Sequence, residues 1–225
     1  MIMIKKILSY IFPIPIHKQP SKVSKSVEVV LYNGRLILNT PNTNYSYGSL
    51  QRILRLGLKK IGFEQIRKMQ HILLLGLAGG SVVKTLIDEI GYKGQITAVE
   101  IDNEIVEIAN KYFGINEIGN LKIIIDDAQK FVQKEKNTYD LIIVDIFQDE
   151  EMPAFLFSTS FKNKLISLLT SKGLILFNTM KISKKDSKRN AIFIQNCQQE
   201  TIVNVFSKVE GNNELILISK KNNKF

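Results

Sequence analysis

Small residues and carboxylates recur where strand-like runs stop. The apolar run 72–75 gives way to Gly76-Leu77-Ala78-Gly79-Gly80-Ser81. "QITAVEI" closes near Glu100, "LKIIID" is followed by Asp127 and Ala128, and "YDLIIVDIF" contains Asp145. Small residues let a backbone approach a ligand closely, and a helix start at Ser81 presents unpaired N–H groups to it. A carboxylate at the end of the next strand, Glu100, can accept from both hydroxyls of a ribose. Asp127, next to Asp126, suits the exocyclic amine of adenine, and Asp145 points at the space where a reacting group would sit. Singly these signals are weak. Ala78 and Ser81 stand where GxGxxG has glycines, and no Gly-Lys-Ser/Thr closes a P-loop. An acidic strand end also caps helices, as Asp102 is expected to do. Four such elements in order along one sheet edge point to adenosine with a charged tail.

An open parallel sheet would place them there, because ligands bind outside the carboxyl ends of its strands. From residue 71 strand-like and helix-like runs alternate: strands at 72–75, 95–101, 121–126, 139–147 and 173–179, with helices at 81–90, 103–113, 128–134, 160–169 and 190–199. This alternation predicts an α/β fold with helices on both faces of a mostly parallel sheet. "VNVFSKV" and "ELILISKK", joined by Glu210-Gly211-Asn212-Asn213, predict a closing antiparallel pair. The expected architecture is a seven-stranded Rossmann-like sheet of the class I methyltransferase type. Ahead of it, "SVEVVLYNGRLILNT" has two β-rich runs about Asn33-Gly34, a hairpin signal. The expected division is an arm and hairpin over 1–48 and the Rossmann-like unit over 49–225.

The 225 residues fit one domain with a small appendage, and 44% apolar content suffices for a core. A single cysteine, Cys197, excludes an internal disulfide, and two histidines, His17 and His71, are too few for a His-rich metal site, so no metal is expected. The net charge of +10 admits an anionic partner. The basic runs "KISKKDSKR" and "KKNNKF" contain few aromatics for base stacking, so they read as solvated surface rather than a nucleic-acid site. "MIMIKKILSYIFPIPIHKQP" is interrupted by Pro13 and Pro15 and is too short to span a bilayer. It is expected to be an arm packed on the domain or on another copy, with a membrane-surface anchor as the alternative. A cytoplasmic location is expected.

"HILLLGLAGGS", "TAVEIDNEIVEIANKYF", "IIIDDAQKF" and "YDLIIVDIFQDEEMPAFLFSTSFKNKLISLL" resemble the spermidine synthase superfamily of class I transferases, over about residues 26 to 220. The resemblance implies S-adenosylmethionine or its decarboxylated form as ligand, bound by the loop of Gly76, Ala78, Gly79 and Gly80. It implies Glu100 on the ribose, Asp127 with Ala128 at the adenine, and Asp145 assisting deprotonation of an amine. It also implies a loop over 146–156 that closes on substrate, and a homodimer. Several positions depart from the family pattern. Gly79 replaces the Asp of a GGGDGG-like loop that grips the aminopropyl tail. Asp145 is followed by Ile146, Phe147 and Gln148 rather than a DSSDP-like run, with Asp149 one position late. Tyr47-Gly48-Ser49 replaces a Tyr-His-Glu stretch. Tyr47 and Asp149 are the candidate substrate-side residues. These departures make methyl transfer to a small molecule the leading expectation. Aminopropyl transfer, and a non-catalytic adenosyl-ligand-binding or nucleic-acid-associated protein, are the alternatives.

Overall fold

The apolar runs pair side by side into one sheet. In the computed structural model, which describes residues 2–40, 44–46, 49–148 and 151–221, β5 (His71–Leu75), β6 (Gln95–Glu100), β7 (Leu121–Ile125) and β8 (Tyr139–Val144) are parallel, and β9 (Leu169–Met180) joins β8 in parallel. The strand order is β10-β11-β9-β8-β5-β6-β7, with β10 (Thr201–Val209) and β11 (Asn213–Lys220) forming the antiparallel pair. β11 lies between β9 and β10 and runs against both. Period-two alternation sends Ile72, Leu74, Leu141 and Ile143 to one apolar core, and Leu73, Leu75, Ile142 and Val144 to the core on the other face. The central strands β5 and β8 are thus buried on both sides, which is why their sequences are nearly continuously apolar.

The helices fill both faces. α2 (Ser49–Ile61) and α3 (Phe63–Arg67) precede β5, and α4 (Ser81–Lys84) continues as a π-helical segment over Thr85–Ile90. α5 (Asn103–Phe113) and α6 (Ala128–Lys134) follow β6 and β7; α7 (Thr159–Ser167) and α8 (Lys184–Gln198) flank β9. α8 begins within the basic run, well before the expected start at residue 190. Ser183 caps it reciprocally with Asp186: Asp186 N–H donates to Ser183 Oγ at 3.1 Å, and Ser183 N–H donates to Asp186 Oδ2 at 2.9 Å. That capping box, Ser-x-x-Asp, is legible in the sequence, inside the basic run.

The expected hairpin is part of something larger. α1 (Ile2–Leu8) leads into a four-stranded antiparallel sheet of β1 (Ile14–Ser21), β2 (Lys25–Tyr32), β3 (Arg35–Asn39) and β4 (Asn44–Ser46). Pro13 lies just before β1, and Pro15 and Pro20 are compatible with β1 because it is an edge strand whose register shifts just after Pro15. This sheet packs Val27, Val29 and Leu38 on Ile105 and Ile108 of α5. Ser21 Oγ donates to Asp102 Oδ2 at 2.5 Å, and Gln19 Nε2 donates to the Glu104 carbonyl at 3.3 Å. Asp102 also caps α5 as expected, accepting from Glu104 N–H. One carboxylate therefore starts the helix and pins the small sheet to it. Ser21→Ala, which removes a buried charge-assisted bond, is expected to lower stability by about 1.5–3 kcal/mol, read from urea unfolding.

Candidate active site

The ladder brings the four sequence elements to one edge. Leu75 lies beside both Val99 and Val144, and Glu100 lies beside Ile125. The pairing continues one step further through Gly76 N–H to Val99 O (2.9 Å), Asp145 N–H to Leu75 O (2.9 Å) and Asp126 N–H to Glu100 O (3.1 Å). Gly76, Glu100, Asp126 and Asp145 thus stand side by side at the carboxyl ends of β5, β6, β7 and β8.

The small-residue loop has three left-handed residues. Gly76 (φ +93°) and Gly80 (φ +78°) need glycine for space as well as for conformation. A Cβ at Gly76 would lie 2.2 Å from the Asp145 carbonyl oxygen, and one at Gly80 would lie 2.3 Å from Ile115 Cδ1. Ala78 (φ +47°) keeps the left-handed shape with a methyl group, at a cost of about 1–2 kcal/mol. Ala78 thus adopts a conformation that favours glycine while carrying a methyl group.

Glu100 has a second role that its position alone did not announce. Its Oε2 accepts from Leu77 N–H (3.0 Å) and Ala78 N–H (3.1 Å), and its Oε1 accepts from Ile101 N–H (2.9 Å) and Asp102 N–H (3.1 Å). The side chain is buried. Burial pushes its proton affinity up, and the backbone donors oppose that shift. Four bonds use all the acceptor sites of a carboxylate, so a ribose reaches Glu100 only by replacing or sharing a bond with the loop. Asp127 is likewise used by the fold, since it caps α6 by accepting from Lys130 N–H at 3.0 Å. It and Ala128 are half-buried at the edge beside Asp126.

Asp145 is half-buried, and Asn178 Nδ2 donates to its Oδ1 at 2.9 Å. Asn178 lies in β9, fully buried, and its own Oδ1 accepts from Asn213 Nδ2 of β11 at 3.0 Å. Sequence reading missed Asn178. The signal was an amide in "GLILFNT", near the end of an otherwise apolar strand, where a buried polar group must find a partner. Behind it Glu214, also buried, accepts from Asn190, Ser207 and Lys181. Burial pushes the Asp145 carboxyl up to about 6; the Asn178 bond opposes this and the charge of Glu100 adds to it.

The segment after β8 is partly anchored. Gln148 and Glu151 exchange backbone hydrogen bonds at 2.8 and 3.0 Å, and Met152 and Leu156 are buried in the second core. A closing movement of the whole stretch 146–156 would have to extract both side chains, which confines any lid to residues before Met152. Asp149 lies outside the described residues, as does Tyr47. Among the described residues no group of three or more His, Cys, Asp or Glu side chains is placed to hold a metal ion.

A spermine/spermidine synthase domain model matches residues 57–211, more than half of the chain. The chain belongs to the spermine/spermidine synthase family. Among this family's curated members, a polyamine aminopropyltransferase of Vibrio vulnificus is 31% identical over 129 residues, 56% of this chain and 43% of that protein. The chain thus spans less than half the length of this relative. Spermidine synthase from Thermotoga maritima superposes with a TM-score of 0.73 at 16% identity, over 93% of this chain and 74% of that one. Human methyltransferase-like protein 13, solved in complex with SAH, gives 0.63 at 22% identity, over 79% and 85%. At these identities the two structures establish the shared α/β fold, a seven-stranded sheet with helices on both faces. No helix among the described residues is long and apolar enough to cross a membrane.

The folded-state value of Asp145 lies above the unfolded one of about 3.9. The protonated form is therefore favoured on folding, and that contribution is lost as pH rises from about 4 through about 6. Asp145→Asn is expected to be more stable than the parent above pH 6, with the advantage vanishing below about pH 4. Carbon-13 NMR of the Asp145 carboxyl should titrate near 6, and Asn178→Ala should move that midpoint higher. Glu100→Gln replaces two acceptor sites by donors that face loop N–H groups. It is expected to lower stability by about 1–3 kcal/mol, measured by urea unfolding.

Proposed function

We propose that this chain is a transferase that moves an alkyl group from an adenosyl sulfonium to an amine. The assigned reaction is aminopropyl transfer from decarboxylated S-adenosylmethionine to a polyamine-type acceptor. The observation that supports it most is Asp145, a half-buried carboxylate with a proton affinity shifted toward neutrality, held by Asn178 at the edge shared by Gly76 and Glu100. The family match and the aminopropyltransferase relative favour the same reaction.

The residues fit such a donor. Gly76, Gly79 and Gly80 add no side chain to the loop, Ala78 adds only a methyl group, and the Leu77 side chain is buried in the core. Glu100 offers carboxylate oxygens to ribose hydroxyls in exchange for loop N–H groups, and Asp127 with Ala128 receives the adenine. The bound sulfonium supplies an activated carbon and a neutral thioether leaving group. The protein contributes alignment and proton removal. An ammonium has no lone pair, so the acceptor becomes a nucleophile only after losing a proton; Asp145 takes it, and the Asn178 bond fixes the carboxylate's orientation. Tyr47 and Asp149 are proposed on the acceptor side.

One observation favours a second reading. Gly79 stands where a carboxylate would hold a cationic aminopropyl tail, so a donor with a different tail, S-adenosylmethionine itself, and methyl transfer are the alternative.

Incubation with decarboxylated S-adenosylmethionine and a diamine such as putrescine, read by mass spectrometry, is expected to give an aminopropylated amine and methylthioadenosine. A methylated amine formed only from S-adenosylmethionine would replace this assignment with the second reading. Asp145→Asn should retain donor binding and lose ~10²–10⁴-fold in turnover. The parent rate should fall as pH drops below about 6, where Asp145 becomes protonated.

A further inference from the structure

α1 has its polarity turned outward. Met3, Ile4, Ile7 and Leu8 recur at one-and-four spacing and share one side of the helix, and all four are exposed, Ile4 and Ile7 at 63%. Tyr10, Ile11 (76%) and Phe12 extend this apolar surface through the following turn. The opposite side is the one that meets the protein. Ser9 is fully buried: its carbonyl accepts from Asn33 N–H at 2.8 Å and its Oγ accepts from Gly34 N–H at 2.9 Å. The Tyr10 ring lies on the face of Gly34, where a Cβ would be 2.5 Å from the phenol oxygen. The β2–β3 turn thus grips the polar side and holds the apolar side toward solvent.

The charge around this face has one sign. Lys5 and Lys6 flank the apolar arc, and both are exposed. The first 27 residues contain five lysines and no Asp or Glu. Arg35, exposed at the gripping turn, adds a cation beside the arm, next to the exposed Tyr32. An apolar arc edged by lysines, with tyrosines at its rim, is the pattern of a helix lying in a lipid headgroup layer, with the lysine stems reaching back to the headgroups. A second copy is the poorer occupant. A two-fold contact of this face with itself would bring Lys5, Lys6 and Arg35 of both copies together, with no carboxylate in the arm to pair with them.

We propose that the N-terminal arm, Met3 to Phe12, is an in-plane anchor that docks the folded protein on an anionic lipid surface.

The test uses the full chain and sedimentation with vesicles of phosphatidylcholine, alone or mixed with phosphatidylglycerol. Binding is expected to the mixed vesicles only. It should weaken about fivefold for each cation removed in Lys5→Gln and Lys6→Gln, and weaken with added salt. Ile4→Asp with Ile7→Asp, both at exposed positions, should abolish binding while circular dichroism and thermal unfolding stay unchanged. Ile11→Asp with Phe12→Asp gives an independent check outside the helix. The proposal is overturned by equal binding to neutral vesicles, by no binding to either, or by binding that survives both double substitutions. Light scattering supplies the competing outcome: dimers that these substitutions dissociate, with no vesicle binding, assign the face to a second copy instead.

Discussion

Four backbone N–H groups converge on the carboxylate of Glu100, and the geometry of the site depends on that convergence. In the loop after β5, whose backbone takes left-handed turns at Gly76, Ala78 and Gly80, the Leu77 and Ala78 N–H groups are met from outside the loop. Glu100 satisfies two of them from the neighbouring strand and uses its other oxygen to turn the chain into α5. The fold of the loop, the end of β6 and the start of α5 are thereby coupled through one side chain. Gly76 then rests against the Asp145 carbonyl, so the position of Asp145 follows from the same loop. Any ligand that draws on Glu100 competes with these internal bonds.

The sheet was legible because its signal is redundant. Strands buried on both faces must be apolar throughout, and the strand–helix alternation repeats five times before the closing pair. The edge residues were legible for the same reason: Gly76, Glu100, Asp127 and Asp145 each end or follow a strand whose end the pattern marks. What escaped were features set by tertiary pairing. Nothing local distinguishes β1, with Pro15 and Pro20, from an irregular arm until β2 is seen to pair with it. Asn178 gains its meaning only when β9 lies next to β8 and β11, since its partners Asp145 and Asn213 are distant in sequence. The dual use of Glu100 was hidden likewise, because a strand-end carboxylate gives no hint of how many donors the preceding loop points at it. The start of α8 was a misreading rather than a hidden signal, as Ser183 and Asp186 have the capping spacing.

The departures from the family's motifs change side chains, while the left-handed backbone positions of the loop and the strand-end carboxylate are kept. Ala78 holds a glycine conformation, and Asp145 keeps its place at the end of β8. Gly79 and the residues after Asp145 differ. A scaffold of this kind can keep one half of its ligand contacts through backbone geometry while the other half, made by side chains, changes the chemistry of what is accepted.

The Asn213–Asn178–Asp145 chain has a consequence for how the protein is made. β11 is threaded between β9 and β10, so the orienting amide of Asp145 is itself fixed by a strand that emerges from synthesis after every other element of the sheet. Until β11 inserts, Asn178 has an unmet acceptor and β9 has an open edge, which exposes backbone to unwanted pairing. One strand therefore both completes the hydrogen-bond chain behind Asp145 and covers the open edge of β9.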